Sequence, residues 1–238
     1  RITMQMRELE VVEVTHYTDK LFRIKLERPR DYKFTAGEFT MIALEDTPSR
    51  AYSFTSGPYD DFLEFYSIKV PNGPLTSKLK YIEPGKKLKV GEKPTGTLIT
   101  ANLELGGTLH LMATGTGIAP FISLLRDPFT YDQFDHIKVC WTVPYIKDLR
   151  AYNDFLEEAE VEYFPTITRE EFKNKGRITK FIDEGMWDNI TPQTDKVMIC
   201  GSMPFNNDIK AILVNKGFTE ATKRTPGNFA QEKAFVGS

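Results

Sequence analysis

Gly115-Thr116-Gly117-Ile118-Ala119-Pro120 is the stretch that decides the fold, because of what lies on either side of it. The apolar run Leu109 to Ala113 precedes this turn, and a second apolar run, Ala119 to Leu125, follows it. A glycine-rich turn between an apolar strand and an apolar helix is typical of open parallel sheets. The dinucleotide fingerprint G-x-G-x-x-G is absent, since its third glycine is replaced by Pro120. On its own, the stretch predicts a strand, a turn and a helix.

The same alternation continues through the second half of the chain. Beyond Gly106-Gly107, apolar strands alternate with helical stretches, which predicts a parallel sheet covered by helices. The segments are Leu109 to Ala113, Ile118 to Leu125, Ile137 to Val143, Leu149 to Ala159, Val197 to Cys200 and Asn206 to Lys216. The uncharged stretch Gly107 to Leu125 has nearly the length of a membrane helix, but its glycines, proline and hydroxyls favour strand, loop and helix instead.

Residues 1 to about 100 are patterned differently, as short strands separated by turn residues. The candidate strands are Val11 to Val14, Leu21 to Leu26, Phe39 to Leu44, Ala51 to Thr55, Phe62 to Val70 and Lys87 to Val90. Strands at this spacing favour a small antiparallel barrel. The predicted organisation is therefore two domains, an antiparallel β-barrel over residues 1–102 and an α/β parallel-sheet domain over residues 103–238.

The composition of the chain argues against several classes of protein. The chain has 238 residues, 27% of them charged, and a net charge of −2, which gives no reason to expect nucleic-acid binding. No charged-then-apolar signal segment opens the chain, and a membrane protein is not expected. Cys140 and Cys200 form neither a disulfide framework nor a metal-ligand cluster, so no metal and a reducing cytoplasm are expected.

The barrel half carries a second informative motif, Arg50-Ala51-Tyr52-Ser53. It places a cation, a flat ring and a hydroxyl within one short strand, and such groups suit a flat, phosphorylated cofactor. Alone it is weak evidence, and a strand with an exposed Arg and a core Tyr is the favoured interpretation. Two further segments follow it closely, Phe65 to Val70 and Gly73 to Ser77, and backbone N–H groups at the second suit an anion.

The order, spacing and residues of these motifs resemble the ferredoxin-NADP reductase family, specifically its compact bacterial members. The resemblance runs from about Leu9 to Val236 and implies that the barrel binds FAD and the second domain NADP(H). In the family, the matching barrel residues wrap the flavin, its ribityl chain and its pyrophosphate. Carried onto this sequence they are Arg50, Ala51, Tyr52, Ser53, Tyr66, Ser67, Ile68, Lys69, Gly73, Leu75, Thr76 and Ser77.

For the nucleotide, the resemblance places Thr116 at the junction of the two cofactors. Arg169 and Arg177, eight residues apart, are expected to converge on the 2′-phosphate, because a guanidinium matches phosphate geometry. The plain alternative is two solvated arginines. Where relatives often carry another Arg, this chain has Cys140-Trp141-Thr142-Val143-Pro144, which leaves the preference for NADPH over NADH open.

Two further regions acquire roles through the resemblance. Cys200 matches a Cys-Gly motif near the nicotinamide, although a buried inert thiol is an equal alternative. Asp208 matches an acidic position that contacts the nucleotide, or it is a solvated helix charge. At the C-terminus, Ala234 is expected to border the flavin ring and Phe235 to stack on the FAD adenine. Relatives end in two charged residues where this chain has Gly237-Ser238, so no role is assigned to those two.

The sequence is therefore interpreted as an FAD-dependent oxidoreductase that moves electrons between NADPH and ferredoxin or flavodoxin. Ser53, Thr116 and Cys200 are expected around the transfer site, and the working form is expected to be a monomer. Two alternatives stay open, the reductase component of a multi-chain oxygenase system and a non-catalytic nucleotide-binding module. The physiological acceptor and the direction of electron flow are not fixed by the sequence.

Overall fold

Six antiparallel strands in the first hundred residues form a nearly closed barrel in the computed structural model, which describes residues 5–234. Their order in the sheet is β4-β3-β6-β1-β2-β5. The strands are β1 (Met6–His16), β2 (Leu21–Glu27), β3 (Phe39–Ala43), β4 (Arg50–Ser53), β5 (Phe62–Ile68) and β6 (Lys87–Gly91). One short helix, α1 (Thr76–Leu79), precedes β6.

The two ends of this sheet, β4 and β5, meet through residues that follow β4. Phe54 pairs with Phe65, and the Thr55 amide donates to the Glu64 carbonyl at 2.9 Å. Closure removes exposed strand edges, which are liable to pair with other chains. The interior is apolar because alternate residues of the strands face inward, as in β2, where Phe22, Ile24 and Leu26 are fully buried.

A buried carboxylate fastens a helix to the barrel. Glu64 is 1% exposed, and its Oε2 accepts from Thr55 Oγ1 at 2.6 Å and from Arg126 Nη1 at 2.7 Å. Burial alone would raise the pKa of Glu64, but Arg126, the Thr55 bond and Arg23 together lower it. Arg126 directly follows helix α2 (Ala119–Leu125), which also donates from Ser123 Oγ to the Ser56 carbonyl at 2.7 Å.

The second sheet is wholly parallel, with strand order β11-β10-β7-β8-β9. Its strands are β7 (Thr108–Thr114), β8 (His136–Val143), β9 (Glu162–Ile167), β10 (Asp195–Gly201) and β11 (Phe229–Lys233). The remaining helices are α3 (Pro128–Gln133), α4 (Asn153–Glu158), α5 (Ile178–Phe181), which a π-helical turn (Ile182–Met186) extends, and α6 (Met203–Asn215). An antiparallel barrel followed by a parallel α/β sheet confirms the predicted fold class.

The described chain divides into two compact units. The first comprises the residues up to Gly96 together with Ala119–Asp127, and the second comprises Thr97–Ile118 and Pro128–Ala234. The domain boundary expected at residue 102 stays a prediction. No helix formed by residues 5–234 is long and apolar enough to cross a membrane.

Candidate functional site

Strand β4 positions the Arg50 to Ser53 motif on the barrel. Tyr52 is 2% exposed, and its hydroxyl lies 2.7 Å from Ser67 Oγ. Burial raises the pKa of Tyr52 to about 12, so the phenol stays neutral and can donate. The hydroxyl of Ser53 makes no hydrogen bond within the described range, which leaves it available to a bound group. Tyr52 offers little free surface, and its stacking on a flavin stays a prediction.

Two cations of the predicted cofactor set, Arg50 and Lys69, lie at the barrel surface. Both are half-buried; Arg50 Nη1 donates to the Ser49 carbonyl at 3.0 Å. Lys69 Nζ lies 3.1 Å from the Tyr81 hydroxyl and 5.2 Å from the centre of that ring. Cations that keep part of their surface open can pair with phosphate oxygens. Of their predicted neighbours in the motifs, Tyr66 and Ser67 are buried, and Ala51 and Ile68 are half-buried.

The Gly73 to Ser77 loop is a tight turn whose polar groups are largely used internally. The Gly73 amide donates to the Val70 carbonyl at 3.0 Å, and the Ser77 amide donates to the Gly73 carbonyl at 3.2 Å. Thr76 Oγ1 accepts from the Val70 amide at 3.1 Å, and Leu75 is fully buried. The amides of Gly73 and Ser77 are therefore already engaged within the loop, and the predicted anion site stays a prediction.

The Gly115 to Ile118 turn lies at the carboxyl end of β7. A Cβ on Gly117 would lie 2.1 Å from the Cys200 carbonyl oxygen, so only glycine allows this approach to β10. Trp141 Nε1 donates to the Gly115 carbonyl at 2.8 Å and holds the turn from β8. Thr116 Oγ1 is buried and has no hydrogen-bond partner in the described part of the chain.

Three predicted site residues of the second unit gather at this end of the sheet. Cys200 lies at the end of β10 and is 1% exposed, and burial raises the pKa of its thiol. The Ala234 amide donates to the Gly201 carbonyl at 2.9 Å. The Ala234 side chain would be 3.4 Å from a Cβ on Gly117, the neighbour of Thr116. Thr116, Cys200 and Ala234 therefore lie close together.

Arg169 and Arg177 both lie in the segment between β9 and α5. The Ile167 amide donates to the Asn174 carbonyl at 3.1 Å, and the Gly176 amide donates back to the Ile167 carbonyl at 2.9 Å. This pairing places the backbones of both arginines beside the carboxyl end of β9. Both side chains are exposed, and neither guanidinium forms an ion pair or hydrogen bond with another residue in the range 5–234. Two uncompensated cations at one sheet edge suit a phosphate.

Asp208 and Phe235 are the remaining predicted positions. Asp208 is exposed on helix α6, which begins after the cap residue Ser202. Phe235 lies outside the described residues, so its stacking on adenine stays a prediction.

Glu232 is a residue that the sequence interpretation missed. It is the register partner of Cys200 in the neighbouring strand, and its Oε2 accepts from the Thr97 amide at 3.0 Å. Its other oxygen, Oε1, is buried without a partner among residues 5–234. Burial raises the pKa of Glu232 to about 7, against the opposing Thr97 bonds. The only signal in the sequence is an acidic residue two positions before Ala234.

The residues present fit a bound nucleotide on these observations. A buried oxygen without a partner costs about 1–3 kcal/mol, and a ligand that bonds Thr116 Oγ1 would remove that cost. Gly117 allows the turn to approach the neighbouring backbone closely. The guanidinium groups of Arg169 and Arg177 match the negative charge of a phosphate. No cluster of three His, Cys, Asp or Glu side chains able to hold a metal ion occurs within the described residues.

Comparison with known proteins identifies the family. Residues 111–211 match the model of the oxidoreductase NAD-binding domain. The chain is 41% identical to ferredoxin-NADP reductase A of Sorangium cellulosum, covering 97% of this chain and 90% of that protein. It is 42% identical to the flavodoxin/ferredoxin-NADP reductase of Rhodobacter capsulatus, covering 95% and 92%.

A solved structure agrees with these relatives. The crystal structure of a ferredoxin NADP+ reductase from Neisseria gonorrhoeae, with bound FAD and NADP, superposes with a TM-score of 0.90 at 27% identity. The match covers 97% of this chain and 99% of that one. With the same barrel and parallel sheet, and with relatives above 40% identity over nearly its whole length, this chain belongs to the ferredoxin-NADP reductase family.

Proposed function

We propose that this chain is an FAD-dependent oxidoreductase that transfers electrons between NADPH and ferredoxin or flavodoxin. The observation that carries the proposal is the 41–42% identity, over nearly the full length, to two proteins named for this activity. FAD, when bound, supplies the chemistry that connects a two-electron donor with a one-electron carrier. The protein supplies binding, orientation and electrostatics.

For FAD, the proposed contacts lie mainly on the barrel. Arg50 and Lys69 contribute positive charge for the pyrophosphate, and Ser53 contributes a hydroxyl that no described residue uses. The supporting set is the same as the sequence predicts: Ala51, Tyr52, Tyr66, Ser67, Ile68, Gly73, Leu75, Thr76 and Ser77. Ala234 and Phe235 are proposed to contact the flavin ring and the adenine.

For NADPH, Arg169 and Arg177 are proposed to bind the 2′-phosphate. Thr116 donates or accepts one hydrogen bond at the nicotinamide end, where its Oγ1 otherwise has no partner. Cys200 contributes a neutral thiol at the nicotinamide end, because burial raises the pKa of the thiol and keeps it protonated. Asp208, exposed on α6, is proposed to contact the nucleotide as well.

The partner is proposed to be an acidic electron carrier steered by lysines of the barrel. Lys78, Lys86, Lys87 and Lys89 line one depression of about 430 Å³, which they share with Glu8, Glu45 and Asp46. A monomer is proposed because large exposed apolar side chains, such as Tyr59, Leu105 and Val214, are spread over different elements. A cytoplasmic location is proposed because Cys140 and Cys200 are both free.

The proposal is tested first by identifying the cofactor. Flavin released by heat from the purified protein should run as FAD on a chromatograph, and the yellow protein should be bleached rapidly by NADPH. FMN, or no flavin after reconstitution, would contradict the proposal. A colourless protein that binds NADP+ would instead support the non-catalytic nucleotide-binding alternative.

A further inference from the structure

A cavity of about 360 Å³ lies in the second unit, on one face of the parallel sheet. Its apolar lining includes Phe164 of β9, Phe181 of α5, and Met186 and Trp187 at the end of the π-helical turn. Within that turn, Gly185 has φ 111°, which interrupts the helix opposite the sheet. The volume of the cavity is within the range of about 300–1,000 Å³ found for small-molecule sites.

The cavity is built on the amino-terminal half of the sheet. His110, Lys138 and Glu162 lie side by side in register on β7, β8 and β9. Thr114, at the other end of β7, is four residues from His110, or about 13 Å along a strand. Thr116 and Cys200 lie at that other, carboxyl end. The cavity is therefore separate from Thr116 and Cys200, whereas Arg177, also proposed for NADPH, directly precedes α5, whose Phe181 lines the cavity.

One buried polar group faces the aromatic walls. His110 is 6% exposed, lines the cavity, and lies edge-on to Trp187 with the ring centres 5.8 Å apart. Its Nε2 is 2.7 Å from Asp195 Oδ1. The second ring nitrogen, Nδ1, has no hydrogen-bond partner in the described range.

The bond to Asp195 fixes what Nδ1 can do. Burial alone would raise the pKa of Asp195, but hydrogen bonds from His110 and Thr194 lower it. The carboxylate therefore accepts the hydrogen bond and His110 Nε2 donates it. Burial also lowers the pKa of His110, which leaves the ring neutral. A neutral ring with its proton on Nε2 presents Nδ1 as a lone-pair acceptor. The charged side chains Lys138 and Glu162 pair with each other at 3.6 Å at the exposed rim, beside Glu184.

We propose that this cavity binds a small, flat aromatic molecule carrying one hydrogen-bond donor, of the indole or phenol class. The ring lies among Phe164, Phe181 and Trp187, where aromatic side chains favour edge-on and offset contacts. The donor group bonds His110 Nδ1, which has no other hydrogen-bond partner among residues 5–234. Lys138 pairs with Glu162, and Glu184 adds one further negative charge to the lining, so the site favours a neutral ligand over an anion.

The test uses the FAD-loaded protein, saturated with NADP+ and labelled with ¹³C at the methionine methyl groups. Indole is titrated in, and its matched analogue indene, which has the same shape without the N–H, is titrated separately. Indole should bind saturably with one site and shift the Met186 methyl signal, while that of Met198, buried elsewhere in β10, stays in place. Loss of one neutral hydrogen bond should make indene roughly two- to tenfold weaker.

A pair of variants at Cys140, which lines the cavity, provides the control. Cys140→Leu fills the space and should weaken indole binding at least tenfold, whereas Cys140→Ala enlarges it and should retain binding. Absence of saturable binding to the NADP+-saturated protein, equal affinity for indene, or an unchanged affinity in Cys140→Leu would each overturn the proposal. If Cys140→Leu does not fold, the comparison of indole with indene and the Met186 signal decide.

Discussion

At the scale of single residues, the informative side chains are those with unmet charge or hydrogen-bonding capacity. Arg169 and Arg177 carry full charges on exposed side chains, with no ion pair or hydrogen bond to another side chain among residues 5–234. Sequence alone leaves them indistinguishable from solvated arginines. The backbone pairing of Ile167 with Gly176 places both arginines beside the end of β9, which a single sequence does not reveal, and the convergence of their side chains on a phosphate stays a prediction.

Either Arg169→Ala or Arg177→Ala should weaken NADPH binding by roughly tenfold to a hundredfold. A charge-assisted hydrogen bond is worth about 1.5–3 kcal/mol, and the 2′-phosphate is the group that NADH lacks. Affinity for NADH should hardly change. Lys173→Ala, which removes an exposed cation from the same loop, is the matched control and should leave both affinities intact. Equal losses for the two nucleotides would count against a phosphate role.

Glu232 should make stability depend on pH. Its pKa rises from the ordinary 4.5 to about 7 in the folded chain, so the folded state prefers the protonated form. Its contribution is complete below about pH 4.5 and is lost as pH rises through 7. Wild-type stability should fall by roughly 2–3 kcal/mol between pH 5 and pH 8, because one pKa unit corresponds to about 1.4 kcal/mol, and Glu232→Gln should remove this dependence. Urea unfolding of both proteins at the two pH values measures it, and parallel pH profiles would refute the assignment.

At the scale of elements, the sequence predicted the interior strands of the parallel sheet and missed its edges. β7, β8 and β10 each contain a buried, mainly apolar run toward the carboxyl end, namely residues 111–113, 139–143 and 197–200. β9 contains Pro165, which argues against a strand unless it lies at an edge, where one side needs no ladder bond. β11 is the opposite edge, and its Gln231, Glu232 and Lys233 gave no strand pattern. Edge strands depend on their neighbours, which a sequence does not display.

The turn after β7 provides a matched test of local geometry. Gly117→Ala would place a methyl group 2.1 Å from a backbone oxygen, which no side-chain rotation can relieve. We expect a loss of about 1–3 kcal/mol in unfolding free energy together with weaker NADPH binding. Gly115→Ala meets no atom within 4 Å and bears only the left-handed strain of φ 54°, about 1 kcal/mol. Chemical denaturation compares the two, and equal effects would contradict this account of the turn.

The C-terminal segment is expected to contribute to FAD binding rather than to the stability of the fold. Phe235→Ala should weaken FAD binding roughly two- to tenfold, because an aromatic stack is worth about 0.5–1.5 kcal/mol beyond its area. Added FAD should then restore the melting temperature by mass action. Deletion of Gly237-Ser238 is the control and should leave the FAD affinity and the melting temperature unchanged. Wild-type FAD affinity after deletion of Ala234 to Ser238 would show that the segment does not contact the cofactor.

At the scale of the whole molecule, motif order along the chain was sufficient to predict the fold class and the family. The Arg50 to Ser53 motif and the Gly115 to Pro120 turn, in that order, are confirmed as signs of a barrel followed by a parallel sheet. The unpartnered oxygens of Thr116 and Glu232 and the unpartnered nitrogen of His110 were not predictable. Whether each of these atoms has a hydrogen-bond partner depends on segments distant in sequence, and the identity of the residue alone does not reveal it.

The central claim is that electrons pass from NADPH through this chain to ferredoxin or flavodoxin. Anaerobic stopped-flow mixing tests it most directly. The FAD-loaded protein is mixed with NADPH or NADH, and the reduced protein is then mixed with oxidised flavodoxin or ferredoxin. The account predicts fast bleaching of the flavin by NADPH, slower bleaching by NADH, and reoxidation by at least one carrier with matching reduction of that carrier. Flavin that NADPH does not reduce, or reduced flavin that neither carrier reoxidises, would contradict it.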